Sequence, residues 1–297
     1  MSGVLTVIKF FAALAVIVLL VAVYFFLTEV LPKHFDDSQV GNSKVIDRIV
    51  LESEKEGFVR GQREYDRALE LMAMDRGGEA VQKLLVIQNL FPDSENGAEA
   101  RRILGEINLD ELLSIENMSN KVIYTIKPGE GYLNVANNSR TTLDCMMFLN
   151  GLLEMSPLHV GDELVVMSLN FKLVVELAKR RIELFRPDEA KKEHIFVKDY
   201  PIMKLDLASL RGNSIHSKIS RKQGEINGEV VRPALSDYRH ATKVLGFKAG
   251  RHFIQMRPVP ERDEEDPGRG IFLMNSDMEE LSMLIRIGNE VEIKPAG

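Results

Sequence analysis

Residues 121–167 read KVIYTIKPGEGYLNVANNSRTTLDCMMFLNGLLEMSPLHVGDELVVM, and this stretch decides the central fold. It opens with a β-branched run that stops at Pro128-Gly129, a pair that favours a turn. Apolar residues at helical spacing follow, and a last apolar run begins at Leu164, shortly after Gly161. The stretch therefore predicts the order strand, helix, helix, strand.

This order resembles the LysM module, a small βααβ domain that binds glycans containing N-acetylglucosamine. The positions that carry the resemblance are Tyr124, Ile126, Gly129, Glu130, Leu133, Ala136, Thr142, Leu143, Asn150, Leu158, Gly161, Leu164 and Val166. Two residues depart from the family pattern: Tyr132 stands where a small hydroxyl residue is usual, and Asp162 stands where glutamine is common. We expect residues 118–168 to fold alone, although so short a chain builds only a small core.

The resemblance implies a shallow glycan site between two loops, Pro128 to Leu133 and Gly151 to Leu158. Glycine in the first loop lets the backbone approach a ligand, because it has no Cβ. Tyr132 either offers its ring to a sugar or fills the groove, and contact is the favoured alternative. Leu152 and Met155 form the opposite wall or cover the helix pair. The predicted glycan-binding residues are Gly129, Glu130, Gly131, Tyr132, Leu133, Leu152 and Met155.

The N-terminal part predicts a membrane anchor. Residues 10–28 carry no charge, and roughly 20 apolar residues in a helix match a hydrocarbon core of about 30 Å. Because no good cleavage site follows, we expect an uncleaved transmembrane helix over 10–31, with 1–9 in the cytoplasm and a polar linker over 32–60. The glycan-binding resemblance sets the orientation. It places the protein in the bacterial inner membrane as a single-pass protein, with its bulk facing the periplasm.

Residues 61–115 show helical periodicity. The apolar face of a first predicted helix includes Tyr65 and Met72. A second helical run of apolar residues begins after Gly77-Gly78 and ends at Phe91-Pro92, and a third helical run follows. The pattern resembles a tetratricopeptide-like hairpin with a capping helix. Since one such repeat buries little surface alone, we predict a spacer that holds the LysM module or, alternatively, a surface for a protein partner.

The C-terminal region, 170–297, predicts mostly β structure. Residues 171–185 alternate as two strands on either side of a turn. Near the end, a strand over 270–273 precedes a short helix over 277–285, and 291–293 form a final strand.

The order of these elements resembles the L,D-transpeptidase (YkuD-like) domain, which cross-links peptidoglycan through a cysteine acyl-enzyme. Anchor, helical repeat, LysM module and this domain together are similar to a group of bacterial envelope proteins from the Verrucomicrobia. The family needs a cysteine, because a thiolate can attack an amide and later leave, and a histidine that lowers its pKa. Here Gly270 stands at the position of the nucleophile and Phe272 at that of the family's arginine. We therefore expect a degenerate, non-catalytic domain.

The composition excludes further classes of function. A net charge of -6 gives no support for nucleic-acid binding. The single cysteine, Cys145, lies among apolar residues, as is typical of a buried small hydrophobe. The histidines occur without metal-ligand spacing. His240 and His252 lie near Asp237 and Ser236, but no Gly-x-Ser-x-Gly elbow surrounds a serine. We predict no catalytic residue, metal site or cofactor.

The predicted fold class is α+β, with an N-terminal transmembrane helix, a short TPR-like helical hairpin, a βααβ LysM module, and a mostly β C-terminal domain of L,D-transpeptidase type. The predicted function is that of a membrane-anchored, non-catalytic protein that binds the N-acetylglucosamine glycan of peptidoglycan. Two alternatives remain: an assembly adaptor without sugar affinity, and a cell-wall enzyme that uses unrecognised residues.

Overall fold

The computed structural model describes residues 59–188, 193–207, 213–233, 235–260 and 269–295. Within these ranges no helix is both long enough and apolar enough to cross a membrane. The predicted fold class is wrong on this point: the described chain is α+β, but the structure gives no support to a transmembrane helix. The helices it contains are short or carry many charged residues. The segment predicted to span the membrane, 10–31, lies outside the described residues, as do 1–9 and most of the predicted linker.

Three helices come first: α1 (Gln62–Ala73), α2 (Gly77–Leu90) and α3 (Glu95–Leu113). The Oγ of Ser94 accepts a hydrogen bond from the N–H of Gly97 at 3.0 Å and so caps the start of α3. The three helices surround a small apolar core made of Ala68, Leu84, Ile87, Ala100 and Leu104.

A βααβ module follows, built from β1 (Lys121–Thr125), α4 (Tyr132–Asn138), α5 (Leu143–Leu149) and β2 (Glu163–Met167). The two strands pair antiparallel, so both helices lie in the connection between neighbouring strands. Helix α5 begins because the Oγ1 of Thr142 accepts a hydrogen bond from the N–H of Cys145 at 3.0 Å. The module core consists of Ile126, Tyr132, Val135, Ala136, Leu143, Met146, Met147, Leu164 and Val166.

The side chain of Asn150 ties the end of α5 to β2. Its Oδ1 accepts a hydrogen bond from the N–H of Val165 at 2.8 Å. Its Nδ2 donates to the carbonyl oxygens of Val165 at 2.8 Å and Met146 at 2.7 Å. The amide therefore satisfies backbone groups that neither the helix nor the strand pair satisfies.

The rest of the chain forms the β domain. Its elements are β3 (Lys172–Glu176), β4 (Arg181–Asp188), β5 (Glu193–Pro201), β6 (Lys204–Asp206), β7 (Ile215–Ile226), β8 (Glu229–Val231), a 3-10 turn (Ser236–Arg239), β9 (Thr242–Ala249), β10 (His252–Pro258), β11 (Gly270–Leu273), α6 (Asn275–Leu284) and β12 (Glu290–Lys294). The strand order is β5-β4-β3-β12-β7-β9-β10-β11-β6, with β8 paired to β7. The pairs β3–β12 and β10–β11 are parallel.

Helices and module share one core with the β domain. Leu109 of α3, and Cys145, Leu149 and Met167 of the module, lie in the same apolar cluster as the β-domain strands. The module therefore buries one face against its own helices and another against the β domain. Residues 118–168 alone would expose that second face, which argues against independent folding of this span.

Ion pairs fix α3 and α6 on the sheet. Lys198 of β5 is nearly buried, and its Nζ lies 2.8 Å from Glu106 of α3 and 2.9 Å from Glu280 of α6. Nearby, Arg101 of α3 reaches Glu183 of β4 at 3.2 Å. Lys198 and Glu183 are shielded from water, so removing their partners leaves an uncompensated buried charge. The helical region is thus an integral part of the fold.

Candidate functional site

The predicted glycan-binding residues begin in the turn between β1 and α4. Gly129 has a φ of 81°, a backbone conformation that other residues rarely adopt. A Cβ at Gly131 would meet nothing closer than the Oδ1 of Asn134 at 3.8 Å, so the space above it is open. Gly129 is exposed to solvent, so its backbone can contact a ligand's amide group, whereas the N–H of Gly131 donates to the Oδ1 of Asn134 and the carbonyl oxygen of Gly131 accepts from the N–H of Val135.

Glu130 acts within the turn. Its carboxylate accepts hydrogen bonds from the hydroxyl of Tyr124 at 2.7 Å, the N–H of Lys127 at 3.0 Å and the Nδ2 of Asn138 at 3.0 Å. The hydrogen bond from Tyr124, followed by the one from Lys127, lowers the pKa of Glu130. Glu130 thus holds the turn against β1 and α4, and its lone pairs are largely occupied.

Tyr132 lies in the module core and is only 9% exposed. Its hydroxyl oxygen is 3.5 Å from the Oγ of Ser156 in the opposite loop. Leu152 and Met155 are half-buried and pack against the same core. The ring of Tyr132 therefore fills the space between the two loops, the alternative that the sequence analysis did not favour, and a ligand would lie above it.

Leu133 lies apart from the other predicted residues. It lines a cavity of about 230 Å³ between α4, α5 and the β domain, which we call the junction cavity and define by Arg140, Asp144, Lys222 and Arg286. The predicted set is therefore brought together in part: six residues surround the two loops, and Leu133 lines the junction cavity.

The β domain holds the second loop in place, a contact that the sequence did not indicate. The guanidinium of Arg239 donates from Nη1 to the carbonyl oxygens of Leu152, at 2.7 Å, and Leu153. At the base of the loops, Ile126 exchanges backbone hydrogen bonds with Gly161 and Asp162. Both walls of the groove are thus fixed before any ligand arrives, which lowers the entropic cost of binding.

The two loops also carry exposed apolar side chains that the sequence analysis did not select. Leu153 is 80% exposed and Val160 is 66% exposed. No periodic pattern marks them, because loop residues follow neither the helical nor the strand period. Since chair sugars present apolar faces, these side chains add a surface on which a glycan ring can rest.

Gly270, which the resemblance places at the position of the transpeptidase nucleophile, is enclosed by its neighbours. Gly270 is buried on β11, and an added Cβ would lie 2.7 Å from the backbone oxygen of Gln255 on β10. The β10–β11 register places Gln255, not histidine, beside Gly270. Phe272 is fully buried. His240 and His252 are both exposed to solvent.

Cys145 lies in the apolar core that the module shares with the β domain, and it is completely buried. Burial raises the pKa of its thiol to about 12, because a thiolate would lose its hydration there. Only a minute fraction is therefore ionised near neutral pH. Among the residues that the structure describes, no three histidine, cysteine, aspartate or glutamate side chains form a group that could hold a metal ion.

Comparisons with known proteins give similar structures but no family. No family model matches the chain, so neither the LysM nor the tetratricopeptide resemblance gains support. No curated protein matches it either.

The similar solved structures include L,D-transpeptidase-like and peptidoglycan-binding domain proteins, at low identity and coverage. A fused Zn-dependent amidase/peptidase/peptidoglycan-binding domain-containing protein from Clostridium acetobutylicum is 10% identical, with 42% of this chain and 51% of that chain covered and a TM-score of 0.28. Bd1075 of Bdellovibrio bacteriovorus is 12% identical, with 43% and 48% covered and a TM-score of 0.29. An L,D-transpeptidase from Stackebrandtia nassauensis is 13% identical, with 43% and 56% covered and a TM-score of 0.27. The chain spans about half the length of each. None of them points to a Verrucomicrobia-type protein.

Proposed function

We propose that this protein is a non-catalytic, peptidoglycan-binding protein of the bacterial cell envelope. Its ligand is the N-acetylglucosamine-containing glycan, and its site is the groove between the β1–α4 turn and the loop that follows α5. The folded part of the chain then works on the periplasmic side, where peptidoglycan lies. The LysM-like order of the module supports this ligand class.

The observation that carries the proposal is the meeting of these two loops above Tyr132. One wall exposes the backbone of Gly129, and the other exposes the side chain of Leu153. Backbone N–H and C=O groups can bond an N-acetyl group, and an apolar side chain can cover a sugar face. The contacts are few and shallow, so one site binds weakly, and firm attachment to the wall needs several sites at once.

Two observations support the non-catalytic part of the proposal. Gly270 has no room for a cysteine side chain, and Gln255 stands beside it. Cys145, the one cysteine of the chain, is buried in the main core with a raised pKa. Acyl transfer needs an accessible thiolate next to a base, and neither position offers one.

Sedimentation with purified peptidoglycan sacculi tests the proposal. Gly131 has extended backbone angles, φ -114° and ψ 176°, that any residue adopts, and open space for a side chain. Gly131→Tyr therefore leaves the fold intact and fills the groove. We expect the full chain to sediment with sacculi and the variant to bind about tenfold more weakly, which corresponds to about 1.4 kcal/mol.

The matched control is Gly78→Tyr at the start of α2, where a Cβ likewise meets no atom. It adds the same side chain away from the module and should bind sacculi as the unchanged protein does. Equal binding by all three proteins would place the site elsewhere. If the unchanged protein does not sediment even when the glycan of the sacculi is in excess of a millimolar dissociation constant, peptidoglycan binding itself is excluded.

A protein-assembly adaptor is the second candidate function, because the first two helices expose apolar side chains. Leu69 and Met72 of α1 are 41% and 39% exposed, and Val86 and Leu90 of α2 are 40% and 65% exposed. Such a surface fits a protein partner better than a glycan. Failure of the sacculus experiment would favour this function.

A further inference from the structure

The junction cavity has a volume of about 230 Å³ and lies between the module and the β domain. A water molecule takes about 30 Å³ of liquid, so the space suits a ligand of amino-acid size. Its lining comes from both parts of the molecule: Arg140 and Asp144 from the module, Lys222 from β7, and Arg286 from the segment after α6. It is distinct from the glycan groove, with which it shares Leu133 alone among the predicted site residues.

Positive charge dominates this lining. Arg286 donates its hydrogen bonds to neutral oxygens: Nε to Leu169 at 3.2 Å, Nη1 to Ile287 at 3.2 Å, and Nη2 to the side chain of Asn170 at 2.8 Å. Within the described part of the chain, neither Arg286 nor Arg140 forms an ion pair with a carboxylate. Burial, and then the neighbouring charge of Arg140, lowers the pKa of Arg286. Two like charges therefore share the cavity without a counter-ion.

Lys222 and Asp144 add a half-satisfied pair. The Nζ of Lys222 lies 3.6 Å from the Oδ2 of Asp144, too long for a hydrogen bond, and donates instead to the carbonyl oxygen of Ser282. The Oδ2 of Asp144 is buried and accepts no hydrogen bond. Burial lowers the pKa of Lys222 to about 8; Lys243 acts in the same direction, and Asp144 opposes it. The cavity lining thus holds more cations than its one carboxylate neutralises.

We propose that the junction cavity binds a small molecule that carries a carboxylate beside an amide N–H, as the C-terminal residue of a peptide does. The carboxylate lies against Arg140 and Arg286, since guanidinium groups match the planar geometry of a carboxylate. The amide N–H donates to the carboxylate of Asp144, whose side chain is 20% exposed. The lining itself contains three cations and the carboxylate of Asp144, a formal charge of +2 (+3 and -1). An anionic ligand is therefore favoured over a cationic one. The inference does not depend on glycan binding.

Calorimetric titration of the full chain with N-acetylglycine, a small compound with both groups, tests this proposal. We expect saturable binding, and no binding of the methyl ester of N-acetylglycine, which lacks the carboxylate charge. Arg140→Asn removes one cation and should weaken binding about tenfold. Arg140 has a φ of 52°, and asparagine tolerates this left-handed conformation, so the variant keeps the local backbone. Arg251→Asn, in the exposed β9–β10 turn, makes the same change outside the cavity and should leave the affinity unchanged.

Four results would overturn the proposal: no heat from N-acetylglycine at tens of millimolar, equal binding of the methyl ester, equal weakening by the two variants, or inorganic phosphate binding at least as tightly as N-acetylglycine. The last would identify a general anion site in place of a carboxylate–amide site. Unchanged sedimentation of Arg140→Asn with sacculi keeps this test separate from the test of glycan binding.

Discussion

Replacing Asn289 by alanine should lower the free energy of unfolding by about 3–5 kcal/mol, the largest single effect that we expect outside the apolar core. Asn289 is only 3% exposed. Its Nδ2 donates to the carbonyl oxygens of Leu169 at 2.8 Å and Phe171 at 2.9 Å, and its Oδ1 accepts from the N–H of Arg286 at 2.7 Å. Alanine leaves the carbonyl oxygen of Phe171 and the N–H of Arg286 without these partners, and the carbonyl oxygen of Leu169 keeps only the Nε of Arg286. Leu169 and Phe171 belong to the segment that joins the module to the β domain.

Thermal unfolding of the full chain measures this effect. For a chain of this size, each kcal/mol corresponds to a midpoint shift of about 2–4 °C. Asn275→Ala is the control, because Asn275 is exposed at the start of α6 and should change stability by less than about 0.5 kcal/mol. Equal midpoints for the Asn289 and Asn275 variants would show that the Asn289 side chain does not hold the linker.

Placing a cysteine at position 270 should destabilise the protein and give no transpeptidase activity. In Gly270→Cys the new Cβ would lie 2.7 Å from the backbone oxygen of Gln255, and neither strand can move without breaking the β10–β11 pair. We expect a cost of about 1–3 kcal/mol, typical of overpacking in a core. We also expect no cross-linking of stem peptides, since Gln255 cannot act as the base that a thiol needs.

Gly78→Cys provides the control, because the space around Gly78 is open. It should leave the unfolding midpoint nearly unchanged and react readily with thiol reagents in the native state. A Gly270→Cys variant that is as stable as the unchanged protein and that exchanges stem peptides would contradict the non-catalytic part of the account.

The sequence predicted the elements whose signals are local. The helical run that forms α3 follows the break at Phe91-Pro92. The turn signals at Pro128-Gly129 and Gly161 indicate the strand–helix–helix–strand order of the module. Strands β7, β9 and β10 escaped prediction. Strand β7 carries Lys222 and strand β9 carries Lys243, and both side chains are nearly buried. Strand β7 also shifts register between Ile219 and Arg221, so the alternation of apolar and polar residues is interrupted.

The candidate site likewise has parts that the sequence predicted and parts that it did not. The glycine turn and its partner loop follow from chain order and spacing. The burial of Tyr132, the contact of Arg239 with the second loop, and the junction cavity depend on residues brought together from distant parts of the chain. No spacing rule within the module contains them, because they arise from packing of the module on the β domain.

Amide NMR of the full chain, titrated with chitin oligosaccharide, tests the central claim most directly. Binding through one shallow site should be on the order of millimolar. We expect shifts confined to the amides of residues 129–133 and of the non-proline residues in 151–160, and their loss in Gly131→Tyr. Shifts confined to the β domain, or none at millimolar ligand, would contradict glycan binding by the module.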